Sequence, residues 1–444
     1  MKLWTKSSDA LSEVTDFTTG DDLRWDGYLA RYDVLGSLAH IRMLQSIGLL
    51  TVEEHRVLAD ELKKIYQAIE NGTFVMELGV EDIHSQVELM LTRTLGDVGK
   101  KIHSGRSRND QVLVDTKLFL RSEMHDLVVD IRELFDLLIR KSEEHKGKLL
   151  PGYTHLQLAM PSSFGLWFAA YAEGLVDDLI TLQAAYRVTN KNPLGSGAGY
   201  GSSFPLDRTM TTRLLGFDDL NYNVVYAQMG RGKTERIVGA ALGNVAATLA
   251  KLAMDACLYL NPNFGFISFP EELTTGSSIM PHKKNPDVFE IIRGRCNTIQ
   301  AIAGEIALLT ANLPSGYHRD LQLLKEKLFP AFRSLRDCLR MTGVMLSRIS
   351  VKDKILEEEQ YKFLFSVEEV NKLVLQGMPF RDAYKKVGID IEQGRFAPAR
   401  IVNHTHEGSI GNLQNSEIIR MMDEQVASFQ FEEAEKAIQQ LVQD

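Results

Sequence analysis

Serine takes up or gives away a proton only with help, because its hydroxyl is a poor base until nearby positive charge or oriented N–H groups stabilise the oxyanion. The stretch Thr274-Thr275-Gly276-Ser277-Ser278-Ile279-Met280-Pro281-His282-Lys283-Lys284-Asn285-Pro286-Asp287 offers both kinds of help. Backbone N–H groups around Gly276, Ser277 and Ser278 lie on one side, and Lys283 follows on the other. The stretch is polar, contains glycine and exceeds about ten residues, a length at which functional loops become common. A solvated surface loop with a turn-capping Ser-Ser pair would have the same composition, so the string gains meaning only from partners elsewhere.

Two further segments supply such partners. Pro151-Gly152-Tyr153-Thr154-His155-Leu156-Gln157 carries a histidine, the side chain whose ordinary pKa suits proton transfer near neutrality. Taken alone, a histidine is more often structural than catalytic. In residues 101–111, Ser107, Arg108 and Asn109 stand where a glycine-bearing turn meets a helix. Backbone N–H groups and a guanidinium can hold a carboxylate there. Asn109 or Asp110 also reads as a helix cap, a role compatible with the first.

The elements that must position these loops are helices. Ile237, Val238, Ala241, Leu242, Val245, Leu249 and Leu252 recur at three- and four-residue separations and their sums, the stripe of a buried helix. Similar patterns cover 109–145, 161–189, 286–311 and 326–348, each bounded by Gly, Pro, Ser or Asn. Five such helices can pack as a bundle. The expected fold is all-α: a helical head over 1–105, a central long-helix bundle over 106–355 and a helical tail over 356–444. Residues 223–226 form the one β-branched and aromatic run that reads as a strand. With 44% apolar residues in 444, the chain can bury a large core, and a formal net charge of -9 argues against wholesale nucleic-acid binding. Cys257, Cys296 and Cys338 are too few and too scattered for a disulfide framework, which fits a reducing cytoplasm. The charged stretch from Met1 to Asp26 lacks a signal-peptide core, and no later run reaches about 18 uninterrupted apolar residues, which argues against secretion and membrane spanning.

Residues 276–286 resemble the signature loop of the superfamily that contains fumarase, aspartase, adenylosuccinate lyase and argininosuccinate lyase. Three more stretches resemble the argininosuccinate lyases in particular: His103-Ser104-Gly105-Arg106-Ser107-Arg108-Asn109-Asp110-Gln111, the segment around His155, and Gly377-Met378-Pro379-Phe380-Arg381-Asp382-Ala383. With Leu194-Gly195-Ser196-Gly197-Ala198 they follow that family's order along the chain. The resemblance implies β-elimination of argininosuccinate to arginine and fumarate by a cytoplasmic homotetramer whose active sites draw on three chains. It implies that Ser277 is the general base, Lys283 stabilises the developing charge, His155 donates or relays a proton, and Glu290 orients His155. Which of Ser277 and His155 takes the carbon-bound proton stays open. By the same resemblance Ser107, Arg108, Asn109, Thr154, Asn285, Tyr317, Gln322 and Lys325 contact substrate. Asp82 and His84 match less closely, as does Asp26, for which surface solvation is an equal reading.

Other readings are weaker. Gly232-Lys233-Thr234 imitates a phosphate-binding loop, but Ala227 stands where such a loop needs glycine. His404 and His406 with Glu407 lack the partners of a zinc site, so neither metal nor cofactor is expected. An inactive crystallin-like homologue would not need Ser277, Lys283, His155, Glu290 and Asn109. Adenylosuccinate lyase is the nearest competitor, since His282 replaces a glutamine usual in argininosuccinate lyases. The run Gly199-Tyr200-Gly201-Ser202-Ser203-Phe204 is likewise atypical.

Overall fold

In the computed structural model, which describes residues 12–77 and 79–443, the stripe from Ile237 to Leu252 lies inside the helix Lys233–Leu260. Its length and composition would suit a membrane span. Val238, Leu242, Val245, Ala246, Leu249 and Leu252 are instead buried against the helices Phe164–Thr189, Asp287–Leu309 and Leu324–Ser347, which makes it the core helix of the bundle. Arg108–His145 completes the five long helices. Four of the five expected spans match these helices closely. The second helix starts later than expected, at Phe164, because the residues before it are extended.

That extended segment is an antiparallel hairpin, Leu149–Thr154 paired with Gln157–Ser163, where the sequence reads as a loop. Gly152 sits at an irregularity in the pairing, and a Cβ there would lie 2.7 Å from the Met160 carbonyl oxygen, so only glycine fits. Residues 223–226 are not a strand. Asn223 caps the helix Val224–Met229, its side chain accepting from Tyr226 N at 2.9 Å, and this local cap overrides the β preference of the two valines.

Around the bundle, Ala30–Ser46 packs on the first long helix and on Val52–Glu70. At the other end of the chain, Asn415–Ala427 lies on the second long helix and Phe431–Gln443 on Ala30–Ser46. Tyr186, Phe429 and Phe431 stack at 4.9–5.6 Å between ring centroids and tie the chain end to the core. Ser366–Leu375 and Phe380–Glu392 form a separate pair with a small core of Val370, Ala383 and Val387. All three cysteines are free thiols. Part of the charged N-terminal stretch, residues 1–11, lies outside the described residues.

Leu242 has no exposed surface. Leu242→Ala should therefore destabilise the protein by about 2–5 kcal/mol, the transfer term plus the cavity left behind. Lys64→Ala, which removes the ion pair of an exposed lysine to Glu61, should leave the unfolding midpoint nearly unchanged. Urea unfolding midpoints of the two variants check both.

Candidate active site

The chemistry-bearing residues fall into three groups, and one chain brings only the first together. A cleft of about 200 Å³ is lined by Asp82, His84, Arg108, Asn109, Tyr317, Gln322 and Lys325. Seven residues picked from sequence thus meet at one place. The second group is the hairpin tip, Thr154 and His155. The third is the loop that carries Ser277, Lys283 and Asn285, with Glu290 just beyond it. Neither of these two groups lines the cleft.

Asn109 and Arg108 reach the cleft because the first long helix starts at a capping box. Asn109 N donates to Ser107 Oγ at 3.3 Å, and Ser107 N donates to Asp110 Oδ1 at 2.8 Å. The Arg108 guanidinium donates to Glu81 and Ser85 at 3.1 and 2.8 Å and lies 3.1 Å from Asp82. Asp82 is itself the cap of Ile83–Leu95, accepting from Ser85 N at 2.7 Å. Burial would raise the Asp82 carboxyl, but His84 and Arg108 outweigh it and hold it below the ordinary range.

Opposite them stands Lys325, 4% exposed, 2.7 Å from Asp22 and in contact with Asp26. Asp26 is only 3% exposed and also accepts from Ile83 N, so its solvated reading is overturned. The partner that holds it lies 299 residues further along the chain. Burial, with Asp26 close by, pushes Asp22 up to about 6 despite Lys325. Gln322 donates to the carbonyls of Thr18 and Thr19 at 3.0 and 3.4 Å, and the Arg231 guanidinium lies 5.7 Å from the Tyr317 ring centroid.

Asp22, Glu81, Arg231 and Arg319 also line this cleft and were missed from sequence. The one available signal was the Asp22–Asp26 spacing of four, which places both carboxylates on one helix face. The cleft therefore pairs four acids, Asp22, Asp26, Glu81 and Asp82, with four permanent cations, Arg108, Arg231, Arg319 and Lys325. Alternating charges of that kind suit a substrate bearing carboxylates together with amino or guanidino groups.

At the hairpin tip, His155 and Leu156 form a two-residue turn with φ of 54° and 58°. Neither is the glycine or asparagine that such a turn favours, so the tip stores strain of about 1–2 kcal/mol per residue. Leu156 is 80% exposed. The third group is pinned at its base, where Asn285 N donates to Thr275 O at 2.8 Å. Ser277 Oγ accepts from Ile279 N and Met280 N at 3.3 and 3.1 Å, donors that favour the deprotonated hydroxyl. Lys283 is exposed, without an ion pair among the described residues. Glu290 opens the fourth long helix, exposed, and among the described residues no hydrogen bond joins it to His155. The phosphate-loop imitation fails on geometry as well: Gly232 N donates to the buried Glu235 carboxylate at 2.6 Å, which takes an N–H that a phosphate would need.

Lys325→Met would strand the buried Asp26 carboxylate and the half-buried Asp22 carboxylate and should cost about 3–5 kcal/mol at pH 7. Asp22 already titrates near 6, above its ordinary 3.8, and loses its cation in the variant. A raised carboxyl binds its proton more tightly in the folded state, so stability returns as pH falls. Urea midpoints should show the deficit against the parent protein shrinking from pH 7 to pH 5; an equal deficit at both values would contradict the pairing.

A family model described as "Lyase" matches residues 5–301. The argininosuccinate lyase of Parabacteroides distasonis is 63% identical over 441 residues, covering 99% of each chain. That of Bacteroides fragilis is 62% identical over 436 residues, covering 98% of each. Among solved structures, EDDS lyase in complex with formate superposes with a TM-score of 0.74 at 22% identity, covering 98% of this chain and 95% of the other, a likeness of fold. Identity at the level of the first two spans the loops, the cleft and the scaffold alike, and the chain belongs to the argininosuccinate lyase family.

Proposed function

We propose that this protein is a carbon–nitrogen lyase that cleaves argininosuccinate reversibly to arginine and fumarate, in arginine biosynthesis. The observation that carries the reading is the charge-alternating cleft. The substrate has three carboxylates, an α-amino group and a guanidinium, and the cleft holds complementary cations and acids in equal number.

In the reaction a base removes a proton from the carbon next to a succinyl carboxylate. The electron pair passes into that carboxylate as an aci-carboxylate, then returns to form the double bond of fumarate while the carbon–nitrogen bond breaks. The departing guanidino nitrogen gains a proton. Fixed donors and cations aimed at the developing charge are usually the largest catalytic term. Ser277 is assigned as base, supported by the two N–H groups on its oxygen, and Lys283 as the cation that stabilises the aci-carboxylate. His155 supplies or relays the proton to nitrogen, oriented by Glu290. Ser107, Arg108, Asn109, Thr154 and Asn285 hold the succinyl end; Asp82 faces the guanidinium region, with His84 contacting substrate beside it; Tyr317, Gln322 and Lys325 bind the amino-acid end.

The active unit is a homotetramer with shared sites. Supporting this, the cleft lacks the hairpin tip and the Ser277 loop, while apolar Leu156, Ile279, Ile291 and Leu308 are exposed on those segments and on the fourth long helix. The site is assigned to the cytoplasm, with a small-molecule substrate and no role for nucleic acid or membrane. Adenylosuccinate lyase is the second reading, favoured by His282 alone. A phosphate would call for surplus positive charge, and the acids of the cleft cancel its permanent cations.

Fumarate release, followed by ultraviolet absorbance, tests the reading. The purified protein should cleave argininosuccinate and discriminate by about 10⁴ against adenylosuccinate, aspartate and malate, which leave buried polar groups of the site unpaired. Comparable efficiency on adenylosuccinate would overturn the substrate assignment. Ser277→Ala should lower kcat by at least about 100-fold with its helical circular dichroism unchanged, and near-normal release would remove Ser277 from its role.

A further inference from the structure

Beneath the cleft, three buried side chains from three helices converge. Asp33 comes from Ala30–Ser46, His84 from the first turn of Ile83–Leu95 and Asp115 from the first long helix. His84 Nδ1 lies 2.6 Å from Asp33 Oδ1 and 3.6 Å from Asp115 Oδ2. Asp33 Oδ2 and both Asp115 oxygens are buried without a hydrogen-bond partner among the described residues. One ring nitrogen donates a single hydrogen bond, to Asp33, so the second negative charge is balanced only if the ring itself is positive.

The three ligand-type atoms lie within 4.8 Å of one another, a spacing that a metal ion could use. The surrounding charge argues otherwise. Arg106 lies half-buried beside the cluster, donating to Ser37 Oγ at 3.0 Å, and its charge already acts on Asp33 and Asp115. Gly36 brings its helix so close to the first long helix that a Cβ would meet Val114 at 3.3 Å and Asp115 Oδ1 at 3.5 Å. The Nδ1–H of His84 donates to Asp33, and a positive charge on the ring offsets the two carboxylates electrostatically without a further ion.

His84 lines the cleft, and with Nδ1 committed inward its Nε2 has no hydrogen-bond partner among the described residues. We propose that Asp33 and Asp115 are positioning residues that keep His84 as an imidazolium and present its Nε2–H to a carboxylate of the bound substrate. This rests on reading the cleft as the substrate site, and it gives His84 an anion to bind where the family resemblance left only a contact. Charges face the ring from every side: Asp33, Asp115 and Asp82 favour the cation, while Arg106 and Arg108 oppose it; His103, held down to about 4 by burial and the same arginines, is neutral. Burial alone would lower the His84 pKa, but Asp33 foremost, then Asp115 and Asp82, raise it to about 9. Burial and the charge of Asp33 push Asp115 itself well up, against the pull of His84 and Arg106, so Asp33 is the principal counter-ion of the ring. The cation is thus present at neutral pH and lost as pH rises through about 9.

The test combines kinetics with a direct reading of the ring. Protein carrying ¹³C-labelled histidine is titrated by NMR, the His84 resonance being the one missing in His84→Gln. In the parent it should titrate well above the ordinary 6.5, near 9, and the KM for argininosuccinate should rise above that pH. Asp33→Asn and Asp115→Asn should lower the His84 midpoint and raise KM by about tenfold at pH 7.5, the worth of one charge-assisted hydrogen bond, with kcat changed much less. A His84 midpoint near 6.5 in the parent protein would overturn the proposal, as would variants in which midpoint and KM are both unchanged. If either variant fails to fold, the parent titration decides. Absence of argininosuccinate turnover by the parent would fault the substrate reading, whereas this inference stands or falls on the His84 midpoint and its response to added fumarate.

Discussion

Asp110 accepts three backbone N–H groups at once: Ser107 through Oδ1 at 2.8 Å, and Gly195 and Gly197 through Oδ2 at 2.9 Å each. One buried carboxylate therefore fixes both the start of the first long helix and a glycine loop far along the chain. Gly195 and Gly197 have φ of 83° and 60°, which turns their N–H groups toward the same anion. A Cβ on Gly195 would also meet Arg208 at 2.8 Å. Burial pushes the Asp110 carboxyl up to about 6, against the pull of its backbone donors. The cleft depends on this clamp, because Arg108 and Asn109 are the first residues of the helix it anchors.

The Leu194–Ala198 stretch looked like a site motif in sequence, and its two glycines act at one remove, through Asp110. The same separation of scaffold from chemistry holds elsewhere. The cleft is rigid, built from helix caps and buried ion pairs, while His155 and Ser277 sit on exposed projections away from it. A strained turn tipped by an exposed leucine would be a poor solution for an isolated chain. On the proposed shared-site assembly another copy would cover it, and the strain and the incomplete cleft would then have one physical explanation.

The long helices were legible because a 3.6-residue apolar period over twenty or more positions has no competing interpretation. The hairpin was not, since Pro151, Gly152 and Pro161 read as breakers and its strands are short and irregularly paired. Val224 and Val225 misled for the opposite reason, a local β preference defeated by the Asn223 cap. In the site, residues with motif neighbours were found, and those whose meaning comes from a distant partner were left ambiguous, as Asp26 was, or missed, as Asp33 and Asp115 were. Asp26 depends on Lys325, 299 residues away, and Asp33 and Asp115 acquire a role only through His84. Arg231 directly precedes the Gly232-Lys233-Thr234 run and Arg319 lies between Tyr317 and Gln322, but nothing in their spacing marks them as cleft residues.

The central claim is that one chain holds an incomplete site and that copies complete one another. Mixing inactive His155→Asn protein with inactive Ser277→Ala protein, after confirmed subunit exchange, measures this directly. If sites are shared, some mixed tetramers contain an undamaged site and fumarate release from argininosuccinate returns. Mixtures that exchange subunits fully yet stay as inactive as either variant alone would contradict the account and place His155 and Ser277 on the same chain within each site.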